Sequence, residues 1–434
     1  MNWKKWSTGV LGTLVLTGGL LAGCGGDDGE SSSGSDGEQV EIDVFQFKVE
    51  FREQFEELAT TYEEENPDVD INITTVGGGE DYGSALRSRF NSGNEPSIFN
   101  VGGPQDVEDW EEYLAELSDT EAADAALQGT LEGVTVDDGV YGLPYNQEGY
   151  GFIYNTRVFE EAGLDAEAIQ SYDDLVEAVE TLDSQKEDLG LDAVFAFPGS
   201  EQWVTGLHLS NTFLAPEFDH NVMNAFNADS VDFEYGDAYK SIVDLQNEYS
   251  VQPTVSLNYS QQVEELFSLE RVAIIQQGNW VYPSIEGIDP EFASDSIDMM
   301  PIPVEGYEEN ALPVGVPMYW AVNSNKDDDE VQASKDFLDW LYTSESGKEA
   351  VVNDFNFLPA YEGYNAEDVS DPLSRTIYEY SEDEQTIGWV FMGYPTGWGE
   401  DQLGANIQKY LSDEASWDEI ISETQKAWET SRSE

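Results

Sequence analysis

After residue 39 the chain alternates two kinds of hydrophobic pattern. "VEIDV" (residues 40 to 44) sets apolar and acidic side chains in turn, the period of a half-buried strand. "FREQFEELATTY" then places Phe51, Phe55, Leu58 and Tyr62 at helical spacing, so the two stretches predict a βα unit. "VDINI" (69 to 73) repeats the strand pattern and "YGSALRSRF" the helical one. "SIFNV" (97 to 101) predicts a third strand that stops at Gly102 and Gly103. Strands separated by helices predict an α/β lobe with parallel strands. Further on, Ser171 and Asp174 make a capping-box-like start for a helix carrying Leu175, Val179 and Leu182. Two amphipathic helices end the chain, and in the last of them Trp417, Ile420, Ile421, Thr424 and Trp428 share a face that reads as core.

The pattern before residue 40 is different. Lys4 and Lys5 lead into the apolar run "GVLGTLVLTGGLLAG", too short and too glycine-rich to span about 30 Å of hydrocarbon, and residues 1 to 23 read as a secretory signal peptide. No twin arginine precedes the run, which favours Sec-type export. The sole cysteine, Cys24, follows directly, and "LAGC" resembles the lipobox of bacterial-type lipoproteins. That resemblance implies a lipidated Cys24 at the mature N-terminus and a protein tethered to the outer face of the cell membrane, since two acyl chains hold where one is marginal. "GGDDGESSSGSDGE" behind it is a flexible spacer, so residues 24 to 39 form a leash. What remains is longer than the roughly 250–300 residues at which a single core stops growing, and two lobes are expected.

The chain carries 90 acidic residues against 17 basic ones, a formal net charge of −73. Such a surface repels nucleic acid and anionic lipid, leaving the lipid anchor as the only membrane contact. It reads as adaptation to a salty or alkaline medium. Catalytic chemistry finds little support. His208 and His220 are the only histidines, there is no G-x-S-x-G, and Cys24 is committed, which argues against nucleophilic triads and zinc alike. No phosphate loop occurs, because the glycine runs Gly77–Gly79 and Gly102–Gly103 lack its lysine; they suit backbone approach to a ligand or plain loops. No EF-hand loop is visible, and no cofactor or metal is expected. A secreted glycoside hydrolase is the remaining enzymatic alternative, but ninety acids supply too many carboxylate pairs for any one to be informative.

Four blocks, in order, resemble the extracellular solute-binding proteins of ABC importers, family 1, the maltose- and oligosaccharide-binding type. They are "YGLPYNQEGYGFIYNTRVFEEAGLD" (141 to 165), "ERVAIIQQGNWVYPSI" (270 to 285), "DMMPIPVEGYEENALPVGVPMYWAVNSN" (298 to 325) and "ASKDFLDWLYTSESGKEAV" (333 to 351). The resemblance runs from about residue 40 to the end. It implies an α/β, two-lobed periplasmic-binding-protein type II fold with an N-lobe of residues 40 to 147 plus 318 to 364 and a C-lobe of 148 to 317 plus 365 to 434. Its function would be capture of a ligand in the cleft, by a monomer, for delivery to a membrane permease, with no catalysis by this chain.

The same resemblance implies the site. Trp203, Trp280 and Trp398 fall where the family stacks aromatics on sugar, although each could be a core tryptophan. Glu201 and Glu148 match hydroxyl-binding carboxylates. On the N-lobe, Phe47 and Lys48 after the first strand, Glu80 and Tyr82 after the glycine run, and Asn100 with Gly103 after the third strand are placed to face the cleft. Tyr145, Tyr150, Tyr319 and Trp320 flank the crossings, where hinge packing and ligand contact both stay open. The aromatic and basic residues that maltose binders carry near residues 100 to 105 are missing, which puts maltose itself in doubt. With 11 Trp, 22 Tyr and 20 Phe, and flat C–H arrays on pyranose rings, a carbohydrate suits best. A polyamine, another organic cation or a peptide is the alternative.

Overall fold

The alternating and helical patterns fold locally as their periods require. The computed structural model describes residues 39–433 apart from 77–81, 305, 307–310 and 365–368. The signal segment, Cys24, the leash up to residue 38, Gly77–Gly79 and Glu80 lie outside the described residues. Strand β1 (Val40–Gln46) turns Ile42 and Val44 inward, both fully buried. The helix Arg52–Glu65 lays Phe55, Leu58 and Tyr62 against them. β2 (Val69–Thr75) and β3 (Ile98–Val101) pair with β1 in parallel. A short hairpin, β4 (Thr135–Val136) with β5 (Gly139–Val140), precedes β6 (Leu143–Pro144).

The chain then changes sheets. β7 (Glu148–Asn155) starts a second sheet that gains β8 (Ala193–Phe195), β9 (Val272–Gly278), β10 (Ile297–Met300) and β11 (Leu312–Gly315). β12 (Tyr319–Val322) returns to the first sheet, and β13 (Thr386–Ile387) closes the edge of the second. The orders are β2-β1-β3-β12-β6 and β13-β11-β7-β9-β8, with β10 beside β7. Two passages between the sheets therefore lie side by side, at 145 to 147 and 316 to 318. A third lies between Tyr364, packed on the first lobe, and the helix Pro372–Glu382, packed on β7, β10 and β11.

Each sheet carries helices on both faces, so each lobe has its own core. In the C-lobe the helix Tyr172–Leu189 starts where Ser171 Oγ accepts from the Asp174 amide and stops at Gly190, whose φ of 76° suits a residue without Cβ. The last helix, Trp417–Ser431, buries Trp417, Ile420, Thr424 and Trp428. β7 is buried along all eight residues and is squeezed from both faces. A Cβ on Gly151 would lie 2.4 Å from the Met300 carbonyl oxygen.

We expect Gly151→Ala to destabilise the protein by about 1–3 kcal/mol, because β10 must shift to admit one methyl group. Urea denaturation should show a lower midpoint at unchanged slope; an unchanged midpoint would show that β10 yields freely.

Candidate ligand-binding site

One buried amide shapes the N-lobe side of the site. Gln46, at the end of β1 and fully buried, donates from Nε2 to Thr75 Oγ1 at 2.6 Å and to the Lys48 carbonyl at 3.1 Å. Its Oε1 accepts from the Lys48 amide at 2.6 Å. This clasp folds residues 46 to 48 back and sends the Lys48 side chain toward the second lobe, where its ammonium pairs with the carboxylate of Glu148 at the start of β7. Both residues are only 5 % exposed, so the ion pair is nearly dry. Asn146 Nδ2 adds a hydrogen bond of 3.3 Å to the same carboxylate oxygen. Phe47, half-buried, packs edge-on against Tyr145 and Tyr82 beside the ammonium.

An aromatic wall faces this pair from the C-lobe. β9 ends at Gly278, and the Trp280 indole folds back over it so closely that a Cβ there would sit 2.1 Å from the ring. Trp280 Nε1 donates to Gln277 Oε1 at 2.9 Å. Trp203 Nε1 donates to Glu201 Oε2 at 3.0 Å, while Glu201 Oε1 accepts from the Tyr259 amide at 2.9 Å. Both indole N–H groups are thus satisfied within the lobe, and both tryptophan side chains remain partly exposed.

His208 packs against both indoles, its ring centroid 5.1 Å from Trp203 and 5.0 Å from Trp280. It stacks on Tyr150 at 4.7 Å, and the Tyr150 hydroxyl donates to the His208 carbonyl at 2.7 Å. Burial first, and the Lys48 ammonium second, push its imidazole from 6.5 down to about 3. His208 is therefore neutral at any ordinary pH.

The strip continues to Trp389, 5.6 Å from His208, which lies over Gly315 on β11. There a cavity of about 380 Å³ opens between the lobes, walled by Gly103, Gly133 and Tyr319 on one side and Trp389 and Met392 on the other. Gly103, at a φ of 155°, allows the lobes to touch, since a Cβ would meet Met392 at 3.1 Å.

Of the residues proposed from sequence, Lys48, Glu148, Glu201, Trp203 and Trp280 come together, with Phe47 at their edge; Gly103 and Tyr319 line the adjoining cavity. Several expectations are corrected. Trp398 is 1 % exposed in the C-lobe core, donating to the Thr424 carbonyl at 2.9 Å and meeting Trp428 edge-on. The cause is a glycine contact: the π-helical turns Val204–Leu209 and Trp398–Gly404 meet backbone to backbone, where a Cβ on Gly206 would fall 1.9 Å from the Gly399 oxygen. Trp398, next to Gly399, is turned inward by that contact.

Tyr145 and Trp320 stack on one another at 4.5 Å in the N-lobe core, and Trp320 Nε1 is taken by the Tyr342 hydroxyl. Tyr150 is the support beneath His208. Tyr82 accepts from the Asn100 amide at 2.7 Å and donates to the Phe45 carbonyl at 3.1 Å; it braces the strand ends, and Asn100 is itself buried.

Sequence reasoning missed Gln46, Gln277, His208 and Trp389. His208 occurs five residues after Trp203, a spacing that shares a face only in a π-helical turn, so helical periodicity hides it. Among the described residues there is no group of three or more His, Cys, Asp or Glu that could hold a metal ion, and no helix long and apolar enough to cross a membrane.

Two α/β lobes joined by adjacent crossing strands, with aromatic faces opposite an ion pair between them, define a ligand-capture protein of the two-lobed binding type. The chain belongs to the bacterial extracellular solute-binding protein family, whose model matches residues 48–348. It is 25 % identical over 307 residues to the multiple sugar-binding protein of Streptococcus mutans, covering 67 % of this chain and 69 % of that one. It is 26 % identical over 259 residues to the xylose/arabinose-binding protein XacG of Haloferax volcanii, covering 57 % and 54 %. A solved chitin oligosaccharide binding protein superimposes with a TM-score of 0.76 at 22 % identity, over 92 % of this chain and all of that one.

The neutral His208 has a measurable cost in acid. Below pH 6.5 the unfolded chain takes up a proton that the folded site refuses until about pH 3, so stability is intact above 6.5 and falls as pH drops through this window. At pH 5 the parent should have lost on the order of 2 kcal/mol more than a His208→Phe variant, relative to each at pH 7. Urea midpoints decide it; parallel losses would mean that His208 titrates normally.

Proposed function

We propose that this protein is the substrate-binding component of an ABC importer, and that it captures a carbohydrate between its lobes and delivers it to the membrane permease. The observation that carries the reading is a pair of partly exposed tryptophans, Trp203 and Trp280, whose rings meet edge-to-face with centroids 6.2 Å apart, Trp280 lying beside the Glu148 of the dry Lys48–Glu148 pair. Flat C–H arrays of a pyranose stack on such faces. Its hydroxyls find an ammonium donor in Lys48 and carboxylate acceptors in Glu148 and Glu201. Relatives named for multiple sugars, pentoses and chitin oligosaccharide support the sugar class while differing in the sugar. A polyamine fits less well: Lys48 already neutralises Glu148, and a cationic ligand would meet its ammonium at close range.

Differential scanning fluorimetry against xylose, raffinose, maltotriose and chitotriose, with spermidine as the cation control, tests the class. A sugar at a hundred times its Kd should add about 2.7 kcal/mol of stability. Stabilisation by spermidine alone would overturn the carbohydrate reading. With the sugar so found, Trp280→Ala should lose about 1–3 kcal/mol of binding in calorimetry with the fold intact. Trp398→Ala should instead cost about 3–5 kcal/mol of folding stability. Equal binding by the parent and Trp280→Ala would remove the stacking wall from the site.

We further propose that Cys24 is lipidated after export, with residues 24 to 39 as the leash, and that the monomer works on the outer face of the cell membrane. Replacing Cys24 by Ser should release the protein into the medium. Retention on the membrane after signal cleavage would refute the anchor.

A further inference from the structure

We propose that Arg432 is a positioning residue for ligand capture: it fastens the C-lobe to the N-lobe away from the ligand, and so sets affinity and its salt dependence. The proposal rests on the reading that ligand is held between joined lobes. Arg432 follows the last helix and is held over the Trp428 and Phe226 rings. From there Nη2 donates to the carbonyls of Gly393 at 2.6 Å and Ala225 at 3.2 Å, both C-lobe. Nη1 reaches across to the N-lobe and donates to Gln105 Oε1 at 3.2 Å. Gln105 is in the short helix Pro104–Asp109 that leaves β3 just after Gly103, whose missing Cβ permits the contact with Met392.

The surroundings explain why one arginine matters. Beside the close approach of Gly103 to Met392 and of Gly133 to Val222, two further side-chain hydrogen bonds cross this seam among the described residues, both neutral-to-acid: Asn221 Nδ2 donates to Glu132 Oε2 at 3.2 Å and Thr396 Oγ1 to Asp109 Oδ2 at 3.4 Å. Glu108 on the N-lobe and Asp229 on the C-lobe both act on the guanidinium. Acids thus stand on both sides of the seam, and with a net charge of −73 the lobes repel. The guanidinium offsets that repulsion locally. The joined arrangement is also the one in which the Lys48–Glu148 pair is dry, so the seam and the cleft are populated together.

The Cys24→Ser chain has no cysteine, so Ser92→Cys on the N-lobe and Ser184→Cys on the C-lobe, both exposed, accept a pair of spin labels. Without ligand at about 0.1 M NaCl, where charges act over about 10 Å, Arg432→Ala should lengthen or broaden the interlobe distance relative to the parent. At about 1 M, where the range falls to about 3 Å, the two distributions should converge. The affinity for the panel sugar that stabilises the parent should fall about tenfold in low salt, and the deficit should shrink in high salt. Gln105→Ala, which leaves every C-lobe contact of Arg432 in place, should move distance and affinity the same way by less. Arg432→Lys should restore part of both. Identical distances for the parent, Arg432→Ala and Gln105→Ala in low salt overturn the proposal, as does a deficit that salt does not change. A parent that binds no sugar of the panel refutes the carbohydrate reading alone, since the ligand-free distances still judge the seam.

Discussion

Everything between the lobes is arranged around one nearly dry ion pair, Lys48 with Glu148. Taking two charges out of water costs several kcal/mol per ion, and their attraction repays this only when further hydrogen bonds complete the geometry. Gln46 and Asn146 supply that completion, the first by folding the backbone so that the lysine is aimed, the second by bonding the carboxylate. Burial first, and the fixed ammonium second, keep His208 from taking a proton, and the stack of His208 on Tyr150 stays neutral. Both tryptophan rings pack against that imidazole and against each other. Removing one member of the pair would leave the other buried and unpaired, so lysine and carboxylate are linked in stability as well as in recognition.

Much of the architecture is legible in the sequence because it is periodic. β1, β2 and β3 each alternate or run apolar as buried strands do, and the helix Arg52–Glu65 shows its inner face at i, i+3 and i+7 through Phe55, Leu58 and Tyr62. β7 and β9 lie within the quoted blocks that resemble the solute-binding family, and their glycines fall where neighbouring atoms leave no room for Cβ. Lys48 is singled out by its place after the first strand, where α/β proteins gather ligands, whereas Glu148 and Trp280 are singled out only by the resemblance of their blocks to the solute-binding family.

What stays hidden depends on contacts between segments far apart in the chain. Trp398 looks like a cleft residue until Gly206 meets Gly399, 193 positions away, and turns the indole inward. Tyr145 and Trp320 belong to different passages of the chain and become partners only once β6 and β12 pair. His208 escapes notice because a π-helical turn brings it beside Trp203, a periodicity that neither strand nor α-helix templates contain. Gln46 resembles any polar residue at a strand end; only the closed loop of hydrogen bonds to Thr75 and Lys48 shows that it orients the charge.

The acidity of the chain is easily mistaken for a statement about its ligand. Among the described residues Glu148 and Asp371 are the buried acids and the rest stay out of the core, while the cleft holds the balanced Lys48–Glu148 pair, so surface and site obey different constraints. The surface charge enters function by another route, through the work of bringing two negative lobes together. That work is a long-range term weakened by salt, whereas the stacking of a ring on Trp203 and Trp280 is a contact term that salt hardly touches. Affinity is the difference between the joined and separated states, and both terms enter it. A protein built this way can keep the same contacts with its ligand and still bind more tightly as the ionic strength of its surroundings rises.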